Sequence, residues 1–237
     1  MIPLLGVPIL NGVDHLTEML SSIDVPVDKI VVIDNGDVVP DSVADDPEGG
    51  KPMADVIIKP GFNLGVAASW NWIIKGHPQV SWWVISNHDI IFSPGDLERL
   101  ATAMSDGGVV MLGGGFSVFA LTADVIEKVG WFDENYAPAY FEDNDFDYRC
   151  RLAGVNIRSI PSGMQHRTSS TLREDPDYKA QNSGTFASNK ERYLAKWGGP
   201  PYMEKFTTPF DAGGDIRDCR LDINRLRAQR WIRAVDR

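Results

Sequence analysis

The sequence predicts an α/β fold with a mixed, mostly parallel central sheet flanked by helices. Three observations carry the prediction. Apolar runs at residues 2–9, 29–33, 56–58, 82–85 and 109–112 read as strands, several apolar throughout, as in a sheet covered on both faces. Helical patterns at residues 13–22, 66–76 and 94–105 alternate with them, the order expected of β-α-β units. Polar residues then follow one strand after another: Asn11 the first, Asp34 and Asn35 the second, Asn63 the third, and Asn87, His88 and Asp89 the fourth. Open α/β sheets bind ligands beyond the carboxyl ends of their strands. One polar strand end means nothing, but a succession of them reads as a site.

Each later element has its own local reason. Ser93-Pro94 offers a capping serine and a proline at the first helical position. Residues 36–54, rich in Asp, Pro and Gly, read as an exposed loop. In segment 141–154, Phe146, Cys150 and Ala153 recur at helical spacing and give one buriable face. Glu142, Asp143, Asp145 and Asp147 fall in the first turns, where the helix dipole favours negative charge, and Gly154 suits the left-handed residue that closes the helix. The four carboxylates fit either an acidic helix start in solvent or a general base presented at a cleft. Residues 155–160 read as a further strand, followed by a Pro161-Ser162-Gly163 turn and His166.

Composition narrows the function classes. A chain of 237 residues with 43% hydrophobic and 24% charged content is an ordinary globular protein able to bury a sizeable core. Its net charge of -10 argues against general binding to nucleic acid. No apolar run reaches the roughly 18 residues of a transmembrane segment, and the start lacks the basic stretch of a signal peptide. Cys150 and Cys219 do not form a disulfide framework or a metal knuckle, so a soluble, cytoplasmic protein is expected. Seven arginines and three aspartates lie in residues 216–237, a local charge of +4 that leaves -14 for the rest. Ile223, Leu226, Trp231 and Val235 give this tail a partial helical stripe. Packing on the body is the default expectation for it. A homodimer contact and an anionic surface are the alternatives.

Several constellations have both a bland and a sharp reading. Asp34, before Asn35-Gly36, closes a turn or accepts from a nucleobase or ribose. Asn63-Leu64-Gly65, leading into a helix with Ala67, Ala68 and Asn71, serves close packing or a polar ligand at free backbone N–H groups. Asp89 at a strand end suits a divalent ion that also takes substrate phosphates. His166, after another strand, is able to converge on the same ion, and an imidazole ligand favours Mn²⁺ over Mg²⁺. Gly113-Gly114-Gly115 is a flexible turn or a close backbone approach to a ligand. Trp131 and Tyr140 are core residues or sugar-stacking ones.

Taken in order, these pieces resemble the family 2 glycosyltransferases, inverting enzymes of GT-A fold, and within them the rhamnosyltransferase-like branch. The likeness runs through Val7-Pro8-Ile9-Leu10-Asn11-Gly12, Val32-Ile33-Asp34-Asn35-Gly36, Asn63-Leu64-Gly65 with its helix, Asn87-His88-Asp89, Gly130-Trp131-Phe132-Asp133-Glu134, Tyr140-Phe141-Glu142-Asp143-Asn144-Asp145, His166 and Lys196-Trp197-Gly198. The resemblance implies a GT-A domain over residues 1–204 and an Arg-rich, helical C-terminal extension over 205–237. It implies transfer of a sugar from a nucleotide-diphosphate sugar to a glycan or protein acceptor. By it, Asp143 is the base and Glu142 its support. Pro8, Asn11, Asp34, Asn63, Gly65, Asn71, Asn87, His88 and Gly115 serve the donor, while Trp131, Tyr140 and Asp145 serve the acceptor. Asp89 and His166 hold a divalent metal, Mn²⁺ or Mg²⁺. Asn87 stands where the family places the first aspartate of Asp-x-Asp. A transferase-like module that binds nucleotide or glycan without turnover is the alternative. A nucleotidyltransferase would need a cationic loop after the first strand, and Pro8-Ile9-Leu10-Asn11-Gly12 supplies none.

Overall fold

A computed structural model of the chain describes residues 1–44, 53–167, 176–222 and 225. Seven strands form the main sheet: β1 (Leu5–Ile9), β2 (Ile30–Asp34), β3 (Val56–Ile58), β4 (Trp82–Ser86), β6 (Val109–Leu112), β7 (Val118–Thr122) and β8 (Ile157–Ile160). Their order is β3-β2-β1-β4-β7-β6-β8, with β7 alone antiparallel to its neighbours. The expected mixed, mostly parallel α/β sheet is present. A two-stranded ribbon, β5 (Ile90–Ile91) with β9 (Gln165–His166), stands apart from it.

Alternation along the strands divides the core in two. Leu5, Val7, Ile9, Val32 and Val84 face a layer that includes α1 (Val13–Ser21) and α3 (Asp96–Ala103). Leu4, Val31, Ile33, Trp83 and Ile85 face the opposite layer, with α2 (Val66–Gly76), α4 (Ala123–Val129) and α5 (Glu142–Leu152). Both faces are covered, which is why the strands read as nearly unbroken apolar runs. At Gly6 the helix α2 comes so close that a Cβ would meet Ile73 at 2.4 Å. A third cluster of Tyr136, Phe141, Tyr148, Tyr193 and Trp197 packs α6 (Pro176–Trp197) against α5.

Several boundaries differ from the sequence reading for local reasons. The first strand starts at Leu5, and Ile2 makes only an isolated bridge to Val27. Helix α3 starts at Asp96 because Gly95 takes a left-handed conformation (φ 79°), so Ser93-Pro94 is not its cap. The carboxylate of Asp96 instead accepts the Ser93 N–H at 2.9 Å. A 3-10 turn, Met104–Asp106, completes the expected 94–105 segment. The strand expected at 155–160 begins at Ile157. Among the described residues, 205–222 form no α-helix; they run as an irregular strap with one 3-10 turn at Pro209–Asp211. The strap packs on the body: Tyr148 donates to the Phe206 carbonyl at 2.8 Å, and Arg217 lies against Gly130. Ile223, Leu226, Trp231 and Val235 lie outside the described residues. No described helix is long and apolar enough to cross a membrane.

Because β1, β2, β3 and β4 are parallel, their carboxyl ends share one edge of the sheet. Ile9 pairs with Asp34, and Asn35 donates its backbone N–H to the Ile9 carbonyl at 2.8 Å. The polar residues noted after each strand are thereby gathered along that edge.

Candidate functional site

The edge is built by interlocking loops. Asn35 is buried; its Oδ1 accepts the Leu64 N–H at 2.9 Å and its Nδ2 donates to Ser69 Oγ at 3.0 Å. Asn63 Oδ1 accepts the N–H of Gly65 at 2.8 Å. Gly65 has φ 82°, a region open to glycine, and a Cβ there would meet the Pro138 carbonyl oxygen at 2.8 Å. Val66 donates to that same carbonyl at 2.7 Å. The loop at 60–66 is therefore clamped to the loop at 137–141 that leads into α5.

That second loop is strained where it meets the carboxylates. Tyr140 (φ 76°) and Phe141 (φ 74°) are both left-handed, which for bulky residues costs on the order of 1–3 kcal/mol each. Glu142 follows directly. It is 6% exposed, and its Oε2 has no hydrogen-bond partner among the described residues. Burial first, and then the charge of Asp143, push its carboxyl well above the ordinary carboxylate range. Asp143 is half-buried and accepts the Asn144 N–H at 2.8 Å. Burial raises its carboxyl too, opposed by that N–H. Two adjacent carboxyls thus sit on a rigid, strained turn, with raised proton affinity and few partners. Such a pair is suited to taking a proton.

Asp89 and His166 lie side by side. The ribbon pairs Ile90 with His166, and His166 Nε2 lies 3.3 Å from Asp89 Oδ1. Asp96, fully buried, fixes the approach: it accepts from Ser162 Oγ at 2.9 Å and from the Gly163 N–H at 3.2 Å. Ser117 Oγ stands 3.4 Å from His166 Nδ1, and the Ser117 carbonyl accepts the Asn87 N–H at 2.8 Å. Gly113, beside Met164, brings the Gly113-Gly114-Gly115 loop to the same place, and open space surrounds the Cβ position of Gly115. The donor set fits a divalent ion: a carboxylate oxygen and an imidazole nitrogen about 3 Å apart span adjacent positions of an octahedron with bonds of roughly 2.1 Å.

Three other expected site residues, Asp34, Asn71 and Asp145, spend their side chains on contacts within the fold. Asp34 is 1% exposed, and its carboxylate accepts from the N–H groups of Gly36, Val38 and Val39 at 3.3, 3.1 and 2.8 Å. It closes its own turn. Asn71, expected on the donor side, is fully buried. It donates to the Phe132 carbonyl (2.9 Å) and Glu134 (2.8 Å) and accepts the Phe132 N–H (3.0 Å), which leaves its amide spent on the 132–134 loop. Asp145, expected on the acceptor side, is also fully buried. It pairs with Arg149 at 2.8 Å and Lys196 at 2.6 Å and accepts from Trp197 Nε1 at 2.8 Å. Its direction follows from helix geometry: two residues beyond Asp143, it points about 200° away. Pro8 lies within β1 opposite Ile33, Asn11 follows that strand at the shared edge, and His88 is buried beside Asp89. Trp131 is partly exposed with Lys75 Nζ 4.8 Å over its ring; Tyr140 is partly exposed and meets Phe186 edge-on at 5.3 Å.

Asp133, Asp145 and Cys219 also bring ligand atoms within 4.8 Å of one another. Lys196 already fills that position, 2.9 Å from Asp133 and 2.6 Å from Asp145, so the charge is neutralised without a metal. Ser117 and Phe186 were not expected here from the sequence, and Asn35, expected at a strand end, acts by tying that turn to the 60–66 loop. Asn35 carried a signal, a polar residue at a strand end; Ser117 and Phe186 carried none.

No protein-family model and no curated protein sequence matches the chain. Solved structures do match it. The crystal structure of S. aureus TarS is similar over 80% of this chain and 43% of that one, with TM-score 0.55 and 15% identity. TarS 1-349 in complex with UDP is similar over 82% and 72%, with TM-score 0.53 and 15% identity. TarS 1-349 in complex with UDP-GlcNAc is similar over 82% and 71%, with TM-score 0.50 and 15% identity. The chain thus spans less than half the TarS chain of the first of these structures. At this identity the likeness is one of fold, and the fold is the GT-A-like α/β arrangement expected from the sequence.

Proposed function

We propose that the protein is an inverting glycosyltransferase that moves a sugar from a nucleotide-diphosphate sugar to a glycan or protein hydroxyl. The observation that carries the reading is the Glu142–Asp143 pair, raised in proton affinity and held on a strained turn at the carboxyl edge of a GT-A-like sheet. Residues 1–204 form the transferase unit in this reading, and the stretch from 205 onward is an accessory to it.

An inverting transfer is one displacement at the anomeric carbon. The acceptor oxygen forms the new bond as the bond to the diphosphate breaks. Asp143 accepts the acceptor hydroxyl's proton at a carboxylate oxygen. Glu142, deeper and with no partner at Oε2 among the described residues, donates or accepts a hydrogen bond that orients the acceptor. Asp89 and His166 would hold a divalent ion, Mn²⁺ or Mg²⁺, which when bound supplies Lewis-acid assistance to the departing diphosphate. Asn63, Gly65, Asn87 and Gly115 line the donor side, with Asn11 and His88 beside them. Asp34 serves that side by shaping the turn. Tyr140, with Phe186 at its edge, offers the acceptor an apolar face, whereas Lys75 already covers a face of Trp131.

Support for a uridine nucleotide comes from the fold neighbours seen with UDP and UDP-GlcNAc. A thermal-shift and turnover panel of nucleoside diphosphates and their sugars, with and without Mn²⁺, tests the reading. It predicts stabilisation by UDP that grows with Mn²⁺, and loss of that Mn²⁺ increment in Asp89→Asn. Absence of any nucleotide response across the panel rules the reading out.

A further inference from the structure

We infer that Asn189 and Arg225 are positioning residues that hold the loop bearing Glu142 and Asp143 in its strained conformation. Asn189 lies on α6 and is fully buried. Its Nδ2 donates to the carbonyls of Tyr136 (3.0 Å) and Ala139 (2.8 Å) and lies 3.4 and 3.3 Å from those of Ala137 and Tyr140. One side-chain amide therefore gathers the carbonyls of the loop that ends in the left-handed Tyr140 and Phe141. A residue in that conformation persists only where its surroundings over-determine it.

The amide does this only with its nitrogen turned to the loop. Flipped, its oxygen would face the same carbonyls and repel them. Arg225 fixes the orientation: its Nη2 donates to Asn189 Oδ1 at 2.6 Å. Arg225 is itself held, with Nε donating to the Asn135 carbonyl at 3.0 Å and its backbone N–H to Asp222 at 3.0 Å. Asn135 in turn accepts the Asp222 N–H at 2.6 Å and donates to the Arg220 carbonyl at 3.0 Å. The C-terminal strap thus grips the loop at Asn135 directly and at 136–140 through Asn189. The tail arginines, which no motif explained, acquire a role in at least this one position. The consequence for turnover rests on the transferase reading above, whereas the clamp itself does not.

The test compares Arg225→Gln with Arg225→Lys, which keeps the charge but not the two-pronged donation. Arg220→Gln is the control, since that side chain is 91% exposed and, among the described residues, pairs with Asp218 alone. Hydrogen exchange is read on the peptide spanning residues 136–145, together with kcat, the acceptor and donor KM, and UDP affinity. Arg225→Gln should speed exchange in that peptide and lower kcat or raise acceptor KM by roughly 10- to 100-fold, with UDP affinity unchanged. Arg225→Lys should fall between, and Arg220→Gln should match wild type. Unchanged exchange in a folded Arg225→Gln protein overturns the clamp; faster exchange with wild-type turnover overturns its catalytic consequence. If wild type transfers no sugar, the functional reading fails while the exchange arm still decides the clamp.

Discussion

Replacing Lys196 with Met should unfold the protein more easily by an amount the structure sets. Lys196 is 1% exposed and sits between Asp133 (2.9 Å) and Asp145 (2.6 Å), both fully buried. Removing one partner of a buried ion pair costs about 3–5 kcal/mol, because the remaining charge keeps its desolvation penalty without compensation. Here Arg149 still pairs with Asp145 at 2.8 Å and Arg192 with Asp133 at 3.4 Å, so the lower end, about 3 kcal/mol, applies. Methionine keeps the aliphatic stem, so little cavity cost adds to this. For a chain of this size about 3 kcal/mol is roughly 6–12 °C in Tm. Burial pushes the Asp133 carboxyl up, but the Lys196 and Arg192 charges outweigh it and hold the group well below the ordinary range. A depressed carboxylate stabilises above its unfolded pKa of about 3.9 and loses that as pH falls through the folded value. Burial pulls Lys196 down, yet Asp145 and Asp133 outweigh it and raise it, so its contribution is full below about 10.4 and lost as pH rises through the folded value. The deficit of Lys196→Met should therefore be flat between roughly pH 5 and 9. Urea unfolding of both proteins across that range measures it. A deficit below about 1 kcal/mol, or one that changes steeply near pH 7, would mean that Lys196 does not hold the two buried carboxylates in this way.

Three further outcomes follow from the site. Glu142→Gln should raise stability at neutral pH, because a carboxyl with raised folded pKa is least costly below its unfolded pKa and increasingly costly as pH rises through the folded one; a lower Tm at pH 8 than wild type contradicts this. The acid limb of kcat/KM should lie above the ordinary aspartate value of about 3.9, activity rising with pH as Asp143 ionises, and a limb at or below that value argues against Asp143 as the base. Gly65→Ala should cost at least about 2 kcal/mol in urea unfolding, since φ 82° is strained for alanine and its Cβ would press on the Pro138 carbonyl; wild-type stability would mean the 137–141 loop yields freely.

The sheet was legible because burial on both faces makes its strands apolar throughout, and turn residues mark their ends. The insertion of antiparallel β7 between β4 and β6 left no such trace. The pairing of Asp89 with His166 was readable as two polar strand ends. That the β5–β9 ribbon would join them was not, because each of its strands is two residues long. The acidic run at 142–147 shows the limit most clearly. Composition made its four carboxylates interchangeable, yet Asp145 is decided by Lys196, 51 residues later, and Asp147 by Arg151, 3.0 Å away. Asp34 and Asn71 looked like ligand groups because a side chain spent on backbone N–H and carbonyl groups has the same sequence signature as one spent on a nucleotide.

Asp143→Asn removes the proposed base alone, and its effect is read as sugar transfer alongside nucleotide affinity in the same preparation. The substitution keeps the side chain's size and its hydrogen bond from Asn144 while removing the site for the proton. With Asp143 as the base, transfer should fall by roughly 100-fold or more while nucleotide affinity stays nearly intact. Transfer at the wild-type rate by a folded Asp143→Asn protein would contradict that role.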